Sequence, residues 1–247
     1  MYTENIKEYL KKHGFKAFTP KAVLFDMDGV IYDSMPNHAI SWHKAMAEYG
    51  LDMPLADAYQ YEGMRGVETI KLLTLQQRGK KVSDEEAKIM YAKKSRIYAE
   101  CPEAGKMEGT YELMCKIKDM GLKIVVVTGS GQKTLLDRLL NDFHGLITPE
   151  LLVTAKDVKH GKPNPEPYIA GMKKAGIHPW EGIVVENAPL GVRAGVAAKL
   201  FTIAVNTGPL PDNMLIDEGA NILFHRMTDL ESAWNSDWIR VTDLNIK

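Results

Sequence analysis

Residues 21–30 read Lys-Ala-Val-Leu-Phe-Asp-Met-Asp-Gly-Val. The unbroken apolar run 22–25 ends in two acids two residues apart, and a glycine follows at once. So short and continuous an apolar run suits a strand buried on both faces, as in a parallel sheet. Asp26 and Asp28 then stand at the strand's carboxyl end, where open α/β sheets bind their ligands. On a regular strand both side chains would share one face, because side chains alternate with period two. Gly29 lets the chain turn sharply away. One acid there would be an ordinary acidic turn. Two acids before glycine, followed by Val-Ile-Tyr-Asp-Ser at 30–34, mark a reactive site.

Outward from this stretch the chain alternates. Before Pro20, a short amphipathic helix is predicted, with Thr3 as N-cap, Ile6 and Leu10 on one face and Gly14 as stop. Residues 37–49 read as a helix, with Ile40, Trp42 and Met46 among its apolar residues. Helical pattern continues to about Pro102, and Ser83-Asp-Glu-Glu86 is a capping box with Val82 and Ala87 as its staple. Met90 and Ile97 extend one face of that helix. Strands are then predicted at 123–128, 151–153, 182–185 and 200–205, with an edge strand at 222–224. Helices fall between them, at 111–120, at 132–140 with its four leucines, and after Asn164 as cap with Pro165 first. Strands alternating with helices imply an α/β fold with a doubly wound parallel-sheet (Rossmann-like) core. Residues 1–35 and 106–247 form that core, and 36–105 an inserted all-helical domain.

The 247 residues suffice for such a core with a large insertion. A net charge of -1 gives no electrostatic case for nucleic acid or an anionic membrane, so anions must be held by locally placed cations and amides. Cys101 and Cys115 have neither metal-ligand spacing nor further partners, and are expected as reduced thiols in a cytoplasmic protein. No stretch is apolar and long enough to span a bilayer, and the first residues lack the apolar core of a signal peptide.

Asp-x-Asp-Gly-Val-x-x-Asp-Ser at 26–34 resembles the first motif of the haloacid dehalogenase superfamily, the aspartate-nucleophile phosphotransferases. Three later segments resemble its other motifs in the right order, so the likeness spans nearly the whole chain. The resemblance implies Asp26 as nucleophile and Asp28 as general acid/base, with the Asp28 backbone carbonyl also a metal ligand. Thr128, in Val-Val-Val-Thr-Gly-Ser-Gly, resembles the second motif, whose hydroxyl and following amides (Gly129, Ser130) bind the transferred phosphoryl group. A nucleotide P-loop fails here, since Gln132 precedes Lys133 where glycine is required and Val127 sits where the first glycine would be. Lys162, in Lys-Pro-Asn-Pro-Glu, is similar to the third motif, whose ammonium lies near the nucleophile. Glu186 and Asn187 resemble the fourth, which supplies metal ligands. Asn187 departs from the aspartate more usual in this branch, which leaves a neutral oxygen donor for Mg²⁺.

An insertion between the first and second motifs implies a C1-type helical cap that closes over the site. The opening segment, with His38 and Trp42, resembles the β-phosphoglucomutase-like branch. His38 either couples cap and core or is structural. Glu62-Gly-Met-Arg-Gly66 matches the position of the specificity loop, so Glu62 and Arg65 are candidate substrate contacts or plain solvated charges. Lys80-Lys81 echoes a mutase cap segment whose lysine contacts substrate. The expected activity is Mg²⁺-dependent phosphohydrolysis through an aspartyl-phosphate, on a small phosphorylated metabolite or inorganic pyrophosphate. A true β-phosphoglucomutase is the alternative, and a non-catalytic phosphate-binding protein is disfavoured by intact Asp26, Asp28, Thr128 and Lys162. A monomer or weak homo-oligomer is expected.

Overall fold

The computed structural model describes residues 2–235. Helix α1 (Thr3–His13) precedes β1 (Ala22–Phe25), and helices α2 (Met35–Glu48), α3 (Leu55–Gln60), α4 (Gly66–Arg78) and α5 (Asp84–Ala99) follow it. The remainder alternates: α6 (Thr110–Asp119), β2 (Lys123–Val127), α7 (Lys133–Asp142), β3 (Leu152–Val153), α8 (Glu166–Ala175), β4 (Gly182–Glu186), α9 (Pro189–Ala197), β5 (Phe201–Val205), α10 (Asn213–Ile216), β6 (Ile222–Phe224) and α11 (Met227–Ala233). The six strands form one sheet in the order β3-β2-β1-β4-β5-β6, every neighbouring pair parallel. That is the order of Rossmann-type doubly wound sheets, and its switch point lies between β1 and β4.

Period-two alternation accounts for the double burial of the strands. Val23, Phe25, Ile124, Val126, Ile183 and Val185 join one apolar cluster. Ala22, Leu24, Val125, Val127 and Val184 join the cluster on the opposite face. The helices between β1 and α6 build a separate apolar cluster around Trp42, Met46, Ile70, Leu73, Ala87 and Met90. The Ser83–Glu86 capping box forms as expected.

Several boundaries shift from the sequence reading. Thr3 is the first helical residue of α1, behind Tyr2, and makes no capping bond, whereas Gly14 ends the helix in the left-handed region at φ +67°. Helix α2 begins at Met35, ahead of Asn37, because Pro36 is tolerated in a first turn. Ile40 is 39% exposed, so it is not part of that helix's buried face. Of the four leucines of α7, only Leu139 is fully buried. The Asn164 side chain accepts the Glu166 amide at 2.9 Å, which starts α8 one residue later than expected. The predicted core segment ends at 247, and residues 236–247 lie outside the described part.

Helix α1 is anchored by Tyr9. Its hydroxyl donates to the carbonyls of Pro179 (3.1 Å) and Lys199 (3.0 Å). Its ring meets Phe15, Phe18 and Phe201 edge-on, with centroids 5.4–5.7 Å apart. Tyr9→Ala leaves a void against the edge of the sheet and should lower unfolding free energy by about 3–5 kcal/mol. Urea melts measure this, and a loss under about 1 kcal/mol would show α1 to be a bystander.

Candidate active site

Asp26 follows the last residue of β1, and its amide continues the ladder to the Val185 carbonyl at 3.0 Å. Phe25 pairs with both Val126 and Val185, so β1, β2 and β4 end level with one another. Asp26, Thr128, Glu186 and Asn187 therefore arrive together at the switch point, all at least nine-tenths buried. Gly29 turns the chain away at φ +81°, and a side chain there would collide with Asn187. Asp28 and Gly29 lie beyond the strand, in a turn closed by the Gly29 amide on the Tyr32 carbonyl (2.7 Å).

The Lys162 ammonium, 2% exposed, sits between two carboxylates. It donates to Asp26 Oδ1 and to Glu186 Oε1 at 2.5 Å. Glu186 was expected as a metal ligand, but both its oxygens are committed in this structure. Oε1 also accepts the Tyr168 hydroxyl (2.8 Å). Oε2 accepts the amides of Asn187 (3.0 Å) and Ala188 (3.2 Å). Glu186 thus stands as the holder of Lys162. The two carboxylates keep Lys162 above its usual range against the cost of burial. One ammonium cannot hold down two acids. Burial, opposed by Lys162 and reinforced by Glu186 and Asp28, pushes Asp26 up to about 7.

Asp28 is held differently. Its Oδ1 accepts the Ser34 hydroxyl at 2.6 Å and faces His38 Nε2 at 3.3 Å. On the far side of that ring, Lys94 donates to Nδ1 at 2.8 Å, which assigns the imidazole proton to Nε2. Burial and the Lys94 charge keep His38 below its usual range. Burial alone would raise Asp28, but His38, Ser34 and Lys94 bring it down to about 2. A hydrogen-bonded chain Asp28–His38–Lys94 therefore runs from the sheet into the helical insertion, so His38 does bridge the two. Lys94 was not picked out by sequence, although a signal existed. It falls on the buried stripe Ala87–Met90–Lys94–Ile97 of α5, where an apolar residue was due. Lys80 and Lys81, singled out instead, are exposed.

The turn 62–66 reaches the site. Gly63, at φ +85°, lies on the Lys162 stem, and a methyl group there would come within 2.7 Å of Lys162 Cδ. Glu62 joins His38, Tyr91, Lys94, Tyr98 and Ser130 around a cavity of about 70 Å³ that opens onto Asp28. Burial, then the charges of Asp28 and Asp26, push Glu62 up to about 8. Arg65 does not line that cavity but a smaller one, with Thr128, Gly129 and Lys162. Its Nη1 donates to the Lys159 carbonyl at 2.7 Å, fastening the turn to the loop that carries Lys162. Thr128 Oγ1 accepts the Ser130 amide at 3.0 Å, which folds residues 128–130 into a tight loop beside the cavity, with Gly129 exposed at its rim.

Two observations fit a divalent cation. The buried Asn187 Oδ1 has no hydrogen-bond partner. Asp26, Asp28, Glu62 and Glu186 bring four carboxyls to the Lys162 and Lys94 ammonium groups, and the crowding helps push Asp26 and Glu62 up, which a further cation would relieve. Among the described residues no trio of His, Cys, Asp and Glu side chains converges as a metal cage. An amide oxygen and a backbone carbonyl are donors suited to Mg²⁺. Asp26, Asn187 and the carbonyl of Asp28 are the groups that would hold such a cation.

The raised Asp26 has a consequence for the metal-free protein. An unfolded aspartate titrates near 3.9, whereas Asp26 in the fold titrates at about 7. Between these values the folded state binds more protons, so this contribution to stability is lost as pH rises from about 4 to 7. Asp26→Asn removes that loss. With a chelator present it should melt higher than the parent at pH 8 and close to it at pH 4. An equal or lower midpoint at pH 8 would contradict the assignment.

Residues 20–199 match the family model of haloacid dehalogenase-like hydrolases. Hexitol phosphatase A of Escherichia coli (strain K12) is 33% identical over 187 residues, 75% of this chain and 83% of its own. Beta-phosphoglucomutase of Bacillus subtilis (strain 168) is 28% identical over 221 residues, 85% of this chain and 91% of its own. A solved structure described as a putative beta-phosphoglucomutase from Bacteroides vulgatus superposes with TM-score 0.91 at 52% identity, covering 94% of this chain and 95% of that one. These matches, over a doubly wound sheet that carries Asp26, Thr128, Lys162 and Glu186 to its switch point, make the chain an enzyme of the haloacid dehalogenase-like hydrolase family.

Proposed function

We propose that this enzyme is a Mg²⁺-dependent phosphohydrolase working through an aspartyl-phosphate on Asp26, with a compact phosphorylated substrate, inorganic pyrophosphate foremost. An Asp26 oxygen attacks phosphorus and the bond to the leaving oxygen breaks; Asp28, ionised in the resting site, takes up a proton from solvent as the anionic substrate binds beside it and delivers that proton to the leaving oxygen. Water then attacks the aspartyl-phosphate, Asp28 takes its proton, and phosphate leaves with Asp26 restored. Lys162, Thr128 and the amides of Gly129 and Ser130 bind the transferred oxygens. Asp26, Asn187 and the Asp28 carbonyl would hold Mg²⁺, and the chemistry it would supply there is neutralisation of charge on the phosphoryl oxygens. Lys94 and His38 hold the Asp28 carboxyl in place, and the helical insertion acts as the lid that excludes water.

The wall of the cavity carries the choice of substrate class. The cavity, of about 70 Å³, has Glu62 and Lys94 in its wall beside Asp28. A mutase must grip a second phosphate there with a cation. Arg65 is engaged by the Lys159 carbonyl and Lys94 by His38, while Glu62 faces the cavity. In the metal-free site Glu62 is pushed up to about 8; a metal-bound substrate beside it would favour its ionised form, which attracts a phosphate neutralised by metal and repels a bare one.

Incubation with Mg²⁺ and pyrophosphate should release phosphate rapidly. β-Glucose 1-phosphate with a trace of bisphosphate primer should give little glucose 6-phosphate. Efficient isomerisation without phosphate release would make the enzyme a mutase instead. Asp26→Asn should abolish turnover while the protein stays folded. Glu62→Ala should cut pyrophosphate hydrolysis by about tenfold or more, and if it does not, Glu62 has no part in binding.

Asn187→Asp adds a negative charge to the cation site, so it should lower the Mg²⁺ concentration needed both for half-maximal activity and for thermal stabilisation of the resting protein. A raised requirement in both titrations would remove Asn187 from the ligand set.

A further inference from the structure

The two segments that join the helical insertion to the sheet run side by side. The Asp33 amide donates to the Gly105 carbonyl at 3.0 Å, and Tyr32 and Lys106 form an antiparallel bridge. One side chain from outside grips both segments. Arg138 of α7 donates through Nη2 to the Ala104 carbonyl at 2.5 Å. Its Nε faces Glu103 Oε1 at 2.6 Å and Asp142 Oδ2 at 3.2 Å. Its guanidinium lies 4.5 Å from the centre of the Tyr32 ring. The Tyr32 hydroxyl closes the circuit by donating to Asp142 Oδ2 at 2.8 Å. The Glu103 carboxylate is 73% exposed and contributes little. The carbonyl and the ring are the anchors.

This clamp and Asp28 line one small cavity of about 10 Å³, which Asp28, Ser34, Tyr32, Ala104 and Arg138 share. Each joining segment also leads to a group that holds Asp28. Ser34, two residues after Tyr32, donates to its carboxylate. Tyr98, just before the second segment, packs on the His38 ring with centroids 4.4 Å apart. If either segment slides, the donors around Asp28 shift with it. Helix α7 itself begins just after the 128–131 loop, so Arg138 ties that loop's helix to the hinge of the lid.

We infer that Arg138 is a positioning residue that locks both joining segments onto α7 and thereby fixes Asp28 for proton transfer when the lid is closed. A guanidinium suits the task because its planar fork serves a carbonyl, a carboxylate and an aromatic face at once, which an ammonium does not. The inference rests on the role of Asp28 as proton donor proposed above, and the test separates the two.

Acetyl phosphate releases a carboxylate that leaves without a proton, whereas a simple alkyl phosphate such as ethyl phosphate releases an alkoxide that needs one. Asp28→Asn should lose far more activity on ethyl phosphate than on acetyl phosphate, by a factor of about 10²–10⁴. Arg138→Ala should show the same selectivity in kcat, an extra loss of about tenfold or more on ethyl phosphate, with KM for acetyl phosphate nearly unchanged and with partial rescue by added guanidinium. If Arg138→Ala does not fold, Arg138→Lys carries the same comparison, since it keeps the charge and loses the fork. Equal losses on both substrates in the Arg138 variant, beside a selective Asp28→Asn, would overturn the clamp and leave Asp28 standing. A non-selective Asp28→Asn would remove the proton donor and the clamp together.

Discussion

A single buried ammonium shared by two buried carboxylates sets the terms for the rest of this molecule. Lys162 comes from the loop before α8, Asp26 from the end of β1 and Glu186 from the end of β4. Taking three charges out of water is costly, and an apolar trio of the same size would fold as well or better. The arrangement is retained by making the surroundings conform. Tyr168 and two backbone amides saturate Glu186, which leaves Lys162 directed at Asp26. The site still holds more carboxyls than ammonium groups, with Asp26 and Glu62 pushed up as a result, and the buried Asn187 oxygen has no hydrogen-bond partner. A divalent cation is the physical complement of both facts.

The helical insertion is bound into this electrostatic problem rather than merely covering it. Lys94 supplies the second ammonium, buried among Trp42 and Tyr98 rings at 4.9–5.3 Å, and passes its influence to Asp28 through a neutral imidazole. Gly63 presses on the Lys162 stem while Arg65 fastens the same turn to the Lys159 carbonyl. Closure and the placement of both ammonium groups are therefore one geometric event. The two carboxyls of the first motif end up in opposite states for reasons visible in their neighbours. Asp28 has several donors and stays ionised. Asp26 has one cation, shared, and is held back until more positive charge arrives.

The same contacts decide which side chain faces the cavity. An arginine in the specificity turn reads, in sequence, as a clamp for a distant phosphate. In the fold its guanidinium has a backbone carbonyl as partner, and the position facing the cavity belongs to Glu62. Residue type alone could not distinguish these roles, because both satisfy a planar cation equally well.

The sequence by itself determined the sheet and the residues at its carboxyl edge. Short apolar runs at 22–25, 124–127, 183–185 and 203–205, spaced by helical segments, fit doubly buried strands, and each is followed by polar residues that strand geometry delivers to one edge. The capping box and the glycine stops were legible for the same reason, since they depend on neighbours in the chain. Glu186 was found as a member of the site, but its work on Lys162 was not, because nothing local records that Tyr168 and two amides occupy its oxygens. Lys94, Arg138 and the bond from Arg65 to the Lys159 carbonyl were likewise invisible. Each acts on groups dozens of residues away, and only the packing of the helical insertion against the sheet brings those groups within hydrogen-bond reach.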